Sequence, residues 1–261
     1  MTALTSRVTV LGVSLKQYMG IAESAAWAQA IAAIALNDSA ITRGIVRAFV
    51  LPSLPSIPAV TEALSGTQIK IGAQDLFWED RGPYTGGVSG IDLRDLGCQY
   101  VEIGHSERRN VFGETDREIR LKLLAAVRNS LTPVLCVGEQ TNGPTRDASI
   151  ECIQQLDSAL DILSDRALST DLIVAYEPEW AIGNGTPAPA DRIAEVTAAI
   201  RTHLTSLPGV RCTTVLYGGS AKAGTLTELE GSVDGLFLGR FVHAPADFGL
   251  ILHEASTLHY G

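Results

Sequence analysis

The chain has 261 residues, with 20 Lys and Arg against 29 Asp and Glu, for a formal charge of −9. That balance argues against general nucleic-acid or acidic-membrane binding, which needs a basic face, but leaves room for an anionic small molecule in a locally basic pocket. Hydrophobic residues are 46% and charged residues 19%, a globular composition, and no run approaches the ~18 apolar residues of a membrane span.

The N-terminal Arg7 and the short apolar run after it do not make a signal peptide. Cys98, Cys136, Cys152 and Cys212 show neither CxxC nor a His at metal spacing, so they read as scattered buried thiols of a cytoplasmic protein. Asn37-Asp38-Ser39 and Asn184-Gly185-Thr186 match a glycosylation pattern but are discounted without a secretion signal.

Along the chain, short runs rich in Val, Ile, Leu, Phe or Tyr recur at Val8–Val13, Ile45–Leu51, Gln68–Ala73, Gln99–Ile103, Pro133–Val137, Leu172–Tyr176, Thr213–Tyr217 and Asp234–Leu238. Between them lie stretches with helical spacing: Ala22–Leu36, a short one near Ile91–Leu96, Thr115–Asn129, Ile150–Leu163, Pro189–Leu204 and Ala246–His259. Thr115-Asp116-Arg117-Glu118 is a capping box that opens one of them. The second and seventh helices are faint in the pattern. Near-continuous apolar strands alternating with helices predict a parallel sheet covered by helices. Eight such cycles predict an α/β fold, a single (β/α)8 TIM barrel forming one domain over residues 1–261. The competitor, an open doubly wound sheet, usually carries GxGxxG after its first strand; here the strand ends Leu11-Gly12-Val13-Ser14-Leu15-Lys16.

In such a barrel the chemistry sits at the C-terminal ends of the strands. The polar residues there are Ser14 and Lys16, Gln74 and Asp75, His105, Ser106 and Glu107, Glu177, Gly218, Gly219 and Ser220, and Gly239 and Arg240. Each alone has an ordinary reading: a solvated lysine, a rim histidine, an ion-pair cluster of Glu107 with Arg108 and Arg109, an exposed Glu177. Together, a Lys, a His and a Glu supply a cation, a polarising group and a base. Pro178 keeps Glu177 extended at its strand tip, and Trp180–Pro187 has the small-residue make-up of a hinged lid. Ser106 is expected to cap a helical turn whose positive end favours a neutral His105 imidazole. Gly218, Gly219, Gly239 and the lid's Gly183 let backbone N–H groups approach a phosphate. The long loop Gln74–Gly87 carries Phe77, Trp78 and Tyr84, which points to a partner surface.

Tyr176-Glu177-Pro178-Glu179-Trp180-Ala181-Ile182-Gly183, Gly104-His105-Ser106-Glu107-Arg108-Arg109, Tyr84-Thr85-Gly86 and Tyr217-Gly218-Gly219-Ser220 together resemble the triosephosphate isomerase family over nearly the whole chain. The resemblance implies that Glu177 removes a proton next to a carbonyl, that His105 moves a proton through an ene-diol, and that Lys16 stabilises the negative charge. It implies that Glu107 orients Lys16 or Ser106, and that Gly183, Ser220, Gly239 and Arg240 hold a phosphate. It implies no metal, no organic cofactor, a small phosphorylated sugar as partner, and a homodimer in which Thr85 completes the neighbouring site. Two positions depart from the pattern: Ser14 stands where the family has Asn, and Arg240 where it has Gly. Ser14 opens space at the reacting end. Arg240 adds a charge by the phosphate loop, to touch the anion or to pair with Asp247. The segments Gly12–Lys16 and Leu238–Phe241 resemble the branch that isomerises tetrulose phosphates. The expected reaction is erythrulose 1-phosphate to erythrulose 4-phosphate; the alternatives are triose phosphate isomerisation, a metal-assisted epimerase and a non-catalytic phosphate-binding barrel.

Overall fold

The computed structural model describes residues 8–258 except Asn184. The expectations attached to Arg7, Asn184 and His259 lie outside the described residues.

Eight strands close one parallel barrel in chain order: β1 (Thr9–Ser14), β2 (Val46–Leu51), β3 (Lys70–Ala73), β4 (Tyr100–Ile103), β5 (Thr132–Val137), β6 (Thr170–Tyr176), β7 (Val210–Tyr217) and β8 (Gly235–Leu238). Closure is made by β1 against β8, with Val10 opposite Gly235. The expected single (β/α)8 barrel is the observed architecture. β7 starts three residues before the expected Thr213: its foot, Val210, Arg211 and Cys212, is half-buried to exposed and interrupted by a charge, so no continuous apolar run marks it. The expected burial of Cys212 is corrected on the same ground; Cys98, Cys136 and Cys152 are buried.

The helices Ile21–Leu36, Asp116–Arg128, Ala190–Leu204 and Pro245–Thr257 lie within a few residues of their predicted bounds. Thr115 accepts from the Glu118 N–H while Glu118 reaches back to the Thr115 N–H at 2.7 Å, the reciprocal cap the sequence predicts. The helix after β5 begins at Thr145 and not at Ile150, because its first turn is polar; Asp147 there suits the positive helix end. The faint helices are short in the structure: Ile57–Ala63 and Thr225–Glu228. No helix among the described residues is long and apolar enough to cross a membrane.

The alternation of each strand splits the core in two. Outward residues such as Leu11, Val13, Val101 and Val174 pack under the helices. Inward residues, Phe49, Leu51, Val134, Cys136, Ala175, Leu216 and Phe237, fill the barrel. Gly12 is part of that fit: a Cβ there would lie 2.4 Å from the Phe49 ring and 2.8 Å from that of Phe237. This packed interior leaves the upper ends of the strands as a rigid rim on which side chains can converge.

Candidate active site

A cavity of about 260 Å³ opens at the C-terminal rim. It is lined by Ser14, Lys16, His105, Glu107, Glu177, Gly183, Gly218, Ser220, Gly239 and Arg240, which come from five strand ends and the lid. Gly219 and Thr85, also singled out in the sequence, do not line it. Thr85 lies on the long loop after β3, in a separate cavity with Leu54, Trp78 and Lys122.

Lys16 follows β1 in a left-handed conformation, φ 50°, a state that costs a non-glycine residue of the order of 1–3 kcal/mol and that clusters at functional sites. Its backbone is held by Gln74, whose amide donates to the Lys16 carbonyl at 3.1 Å and the Leu51 carbonyl at 2.9 Å. Its ammonium donates to Glu107 Oε1 at 2.6 Å. Burial opposes the charge on Lys16, but the carboxylates of Glu177, Glu107 and Glu102 outweigh it, and the ammonium is held above its ordinary 10.5. Of the two orientations expected for Glu107, the structure shows the one towards Lys16.

His105, and not Ser106, is the cap of the helix Ser106–Phe112, which corrects the expectation: its extended backbone after Gly104 brings the ring back over the first turn. Nδ1 accepts the Glu107 N–H at 3.0 Å. That nitrogen therefore presents a lone pair, and the neutral ring carries its proton on Nε2. Nε2 lies 3.5 Å from Glu177 Oε2, and both atoms are buried without a hydrogen-bond partner.

Glu177 leaves β6 where two glycines make room. A Cβ on Gly138 would lie 1.9 Å from the Glu177 carbonyl oxygen, and one on Gly218 would lie 2.6 Å from its Oε1. Gly219 would meet the Tyr217 hydroxyl at 2.7 Å. Gly218 and Gly219 thus serve the packing of Glu177 and Tyr217, a role that the phosphate reading of these glycines did not contain. Beside Glu177, burial and the carboxylate keep the Cys136 thiol well above its ordinary value.

The segment after Glu177 is tied at both ends. Ser220, at φ 59°, donates its hydroxyl to the Ala181 carbonyl at 2.7 Å, and the Ala188 N–H donates to the Tyr217 hydroxyl at 2.9 Å. Glu139 anchors its base, accepting from Trp180 at 2.9 Å and from Arg192 at 2.7 Å. Arg240 is exposed and makes no ion pair with Asp247: its Nη2 donates to the carbonyl of Gly183 at the lid tip, 2.5 Å away. The aromatics of the long loop pack largely on one another, Phe77 on Trp78 at 4.2 Å and on Tyr84 at 4.8 Å, leaving Tyr84 as the exposed one.

Three residues escaped the sequence reading. Glu139 and Arg192 form a buried ion pair between distant segments, which no local pattern announces. Glu102 had a visible signal: a carboxylate inside the apolar run Tyr100-Val101-Glu102-Ile103. It is 4% exposed and accepts the Ser14 hydroxyl at 2.9 Å. A neutral imidazole N–H and a carboxylate 3.5 Å apart on one cavity wall, beside a fixed ammonium, form an arrangement that can pass protons between adjacent carbons and oxygens of one bound molecule.

A profile of the triosephosphate isomerase family matches residues 9–255. An L-erythrulose-1-phosphate isomerase of Pectobacterium atrosepticum is 49% identical over 255 residues, 98% of this chain and 98% of its own length. A triosephosphate isomerase of Moorella thermoacetica is 47% identical over 195 residues, covering 73% of this chain and 78% of that protein. An L-erythrulose-1-phosphate isomerase of Mesorhizobium japonicum is 42% identical over 219 residues, 81% of this chain and 85% of that protein.

Proposed function

Because the chain belongs to the triosephosphate isomerase family and is a sugar-phosphate isomerase, we propose that it converts L-erythrulose 1-phosphate to D-erythrulose 4-phosphate. The observation that carries this reading is the relative of that name, 49% identical and matched over 98% of both chains.

In this substrate the carbonyl is carbon 2, next to the carbon that bears the phosphate. Glu177 takes the proton from carbon 3, and the electron pair forms the carbon 2–carbon 3 double bond of an ene-diol. His105 gives its Nε2 proton to the carbonyl oxygen and recovers one from the neighbouring hydroxyl, so the imidazole ends as it began. Glu177 returns its proton to carbon 2, and the carbonyl stands on carbon 3. Lys16, held by Glu107, offsets the negative charge that develops on the oxygens. The amides of Gly183, Ser220 and Gly239, with Arg240, hold the phosphate. No electron leaves the substrate, so the proton shuttle asks for no cofactor. The active form is a cytoplasmic homodimer, with Thr85 of each subunit reaching the other's site; the exposed Tyr84 beside it supports this.

Triose phosphate isomerisation is the second reading, supported by the 47% identity to the Moorella thermoacetica protein. The proposal is tested by turnover in deuterium oxide. L-erythrulose 1-phosphate should yield erythrulose 4-phosphate with deuterium at the carbon that gains the proton, seen by NMR. No product from this ketose would overturn the reading.

A further inference from the structure

Glu102 is the one inward carboxylate of β4, and its setting is costly. It is 4% exposed, sits above the packed barrel interior, and forms no ion pair among the described residues. Its described hydrogen bond comes from the Ser14 hydroxyl to Oε2. Burial, opposed by His105, Ser14 and Lys16 and reinforced by Glu177, lifts the carboxyl to about 7. A carboxyl kept in such a place with no cation at ion-pair distance, only the more distant pull of Lys16, marks a site for a ligand more readily than a structural contact, because an apolar side chain would pack there without the desolvation cost.

Its position relative to the cavity gives the ligand. A second cleft, of about 320 Å³, is lined by Glu102, Gln74, Ser53 and Leu54 and shares Ser14, Lys16, His105 and Glu107 with the first. The lid, Ser220, Gly239 and Arg240 line only the first cavity. The second cleft therefore adjoins the reacting centre on the side away from the proposed phosphate end, and opens outward past Arg108 and the exposed Phe112. Ser14 is short enough to stand at this junction without closing it, and its hydroxyl fixes Oε2 so that Oε1 is left for a donor.

We propose that Glu102, held by Ser14, is the specificity-determining residue that accepts a hydrogen bond from the terminal hydroxymethyl group of a four-carbon sugar phosphate. The inference rests on the tetrulose-phosphate reading above: that substrate carries one CH₂OH beyond the carbon that loses its proton, and a triose phosphate carries none. The chemistry recognised is a primary hydroxyl, and the pair selects chain length without taking part in proton transfer.

The test compares two unreactive ligands, glycerol phosphate and a tetritol phosphate, which differ by one CH(OH) unit and lack a carbonyl. Their dissociation constants are measured by calorimetry on the full chain and on Glu102→Leu, Glu102→Gln and Ser14→Ala, with the thermal midpoint as a check on folding. A hydrogen bond to a carboxylate corresponds to a preference of about 10- to 100-fold. The unaltered protein should prefer the tetritol phosphate by that factor, Glu102→Leu should bring the ratio to about one, and Glu102→Gln should restore part of it. If Glu102→Leu does not fold, Ser14→Ala should reduce the ratio several-fold. A ratio unchanged by these substitutions, or both ligands weakened alike, would overturn the inference. Turnover of L-erythrulose 1-phosphate by the unaltered protein is measured alongside: turnover with an insensitive ratio removes only the role of Glu102, whereas no turnover removes the substrate reading beneath it.

Discussion

Arg240 and Gly183 join the loop after β8 to the tip of the lid, through a hydrogen bond from the guanidinium to the glycine carbonyl. A phosphate held beneath this clasp would meet the guanidinium on one side and lid backbone on the other. Arg240, one of the two residues that depart from the family pattern, is thus a connector between two loops.

Arg240→Ala should loosen that connection. The contact is exposed, so its worth is at the low end for a charged donor, about 1 kcal/mol. KM should rise roughly 3- to 10-fold with the thermal midpoint nearly unchanged, as steady-state kinetics and a melting curve would show. An unchanged KM would separate Arg240 from substrate capture.

Glu177→Gln should remove the proton acceptor and keep the shape. Turnover should fall by about 10²- to 10⁴-fold. Stability should hold or rise, since Oε2 is a buried acceptor with no partner. Single-turnover rates and denaturant unfolding read the two effects separately; a fall in stability matching the fall in rate would point to a structural role instead.

Gly218→Ala probes the same carboxylate from behind. The added Cβ would lie 2.6 Å from Glu177 Oε1, so the side chain must move. A displacement of about 1 Å costs of the order of 100-fold in rate. The loss should fall on kcat, with inorganic phosphate binding little changed, and a crystal structure of the variant should show Glu177 shifted from His105.

Glu102 gives a pH signature. Its carboxyl is raised from 4.5 to about 7 in the folded chain, so the folded state binds this proton more tightly than the unfolded state. The contribution of this group to stability is then fully present below about 4.5 and is lost as pH rises through about 7, a change of roughly 3 kcal/mol. Glu102→Gln should flatten that part of the profile, and the variant should gain more stability at pH 8 than at pH 5 in urea unfolding. Parallel profiles would show that Glu102 does not titrate in that window.

The barrel was legible because its signals are local. Each strand is a short apolar run, each long helix has its own period, and Thr115 with Glu118 announces a helix start within four residues. The rim residues were legible because barrel topology sends every strand end to one face. The contacts that tune the site were not. Glu139 meets Arg192 across 53 positions, and Ser14 meets Glu102 across 88; only folding brings these pairs together. His105 as its own helix cap was missed because Ser106 has the better capping propensity; the tertiary need to aim the ring at Glu177 outweighed it.

On the proposed function, this rim moves a proton on a four-carbon ketose phosphate. The most direct measurement is kcat/KM of the purified protein for L-erythrulose 1-phosphate and for glyceraldehyde 3-phosphate under the same conditions. The expected ratio is about 100 or more in favour of the tetrulose phosphate. Equal values, or a preference for the triose phosphate, would contradict it.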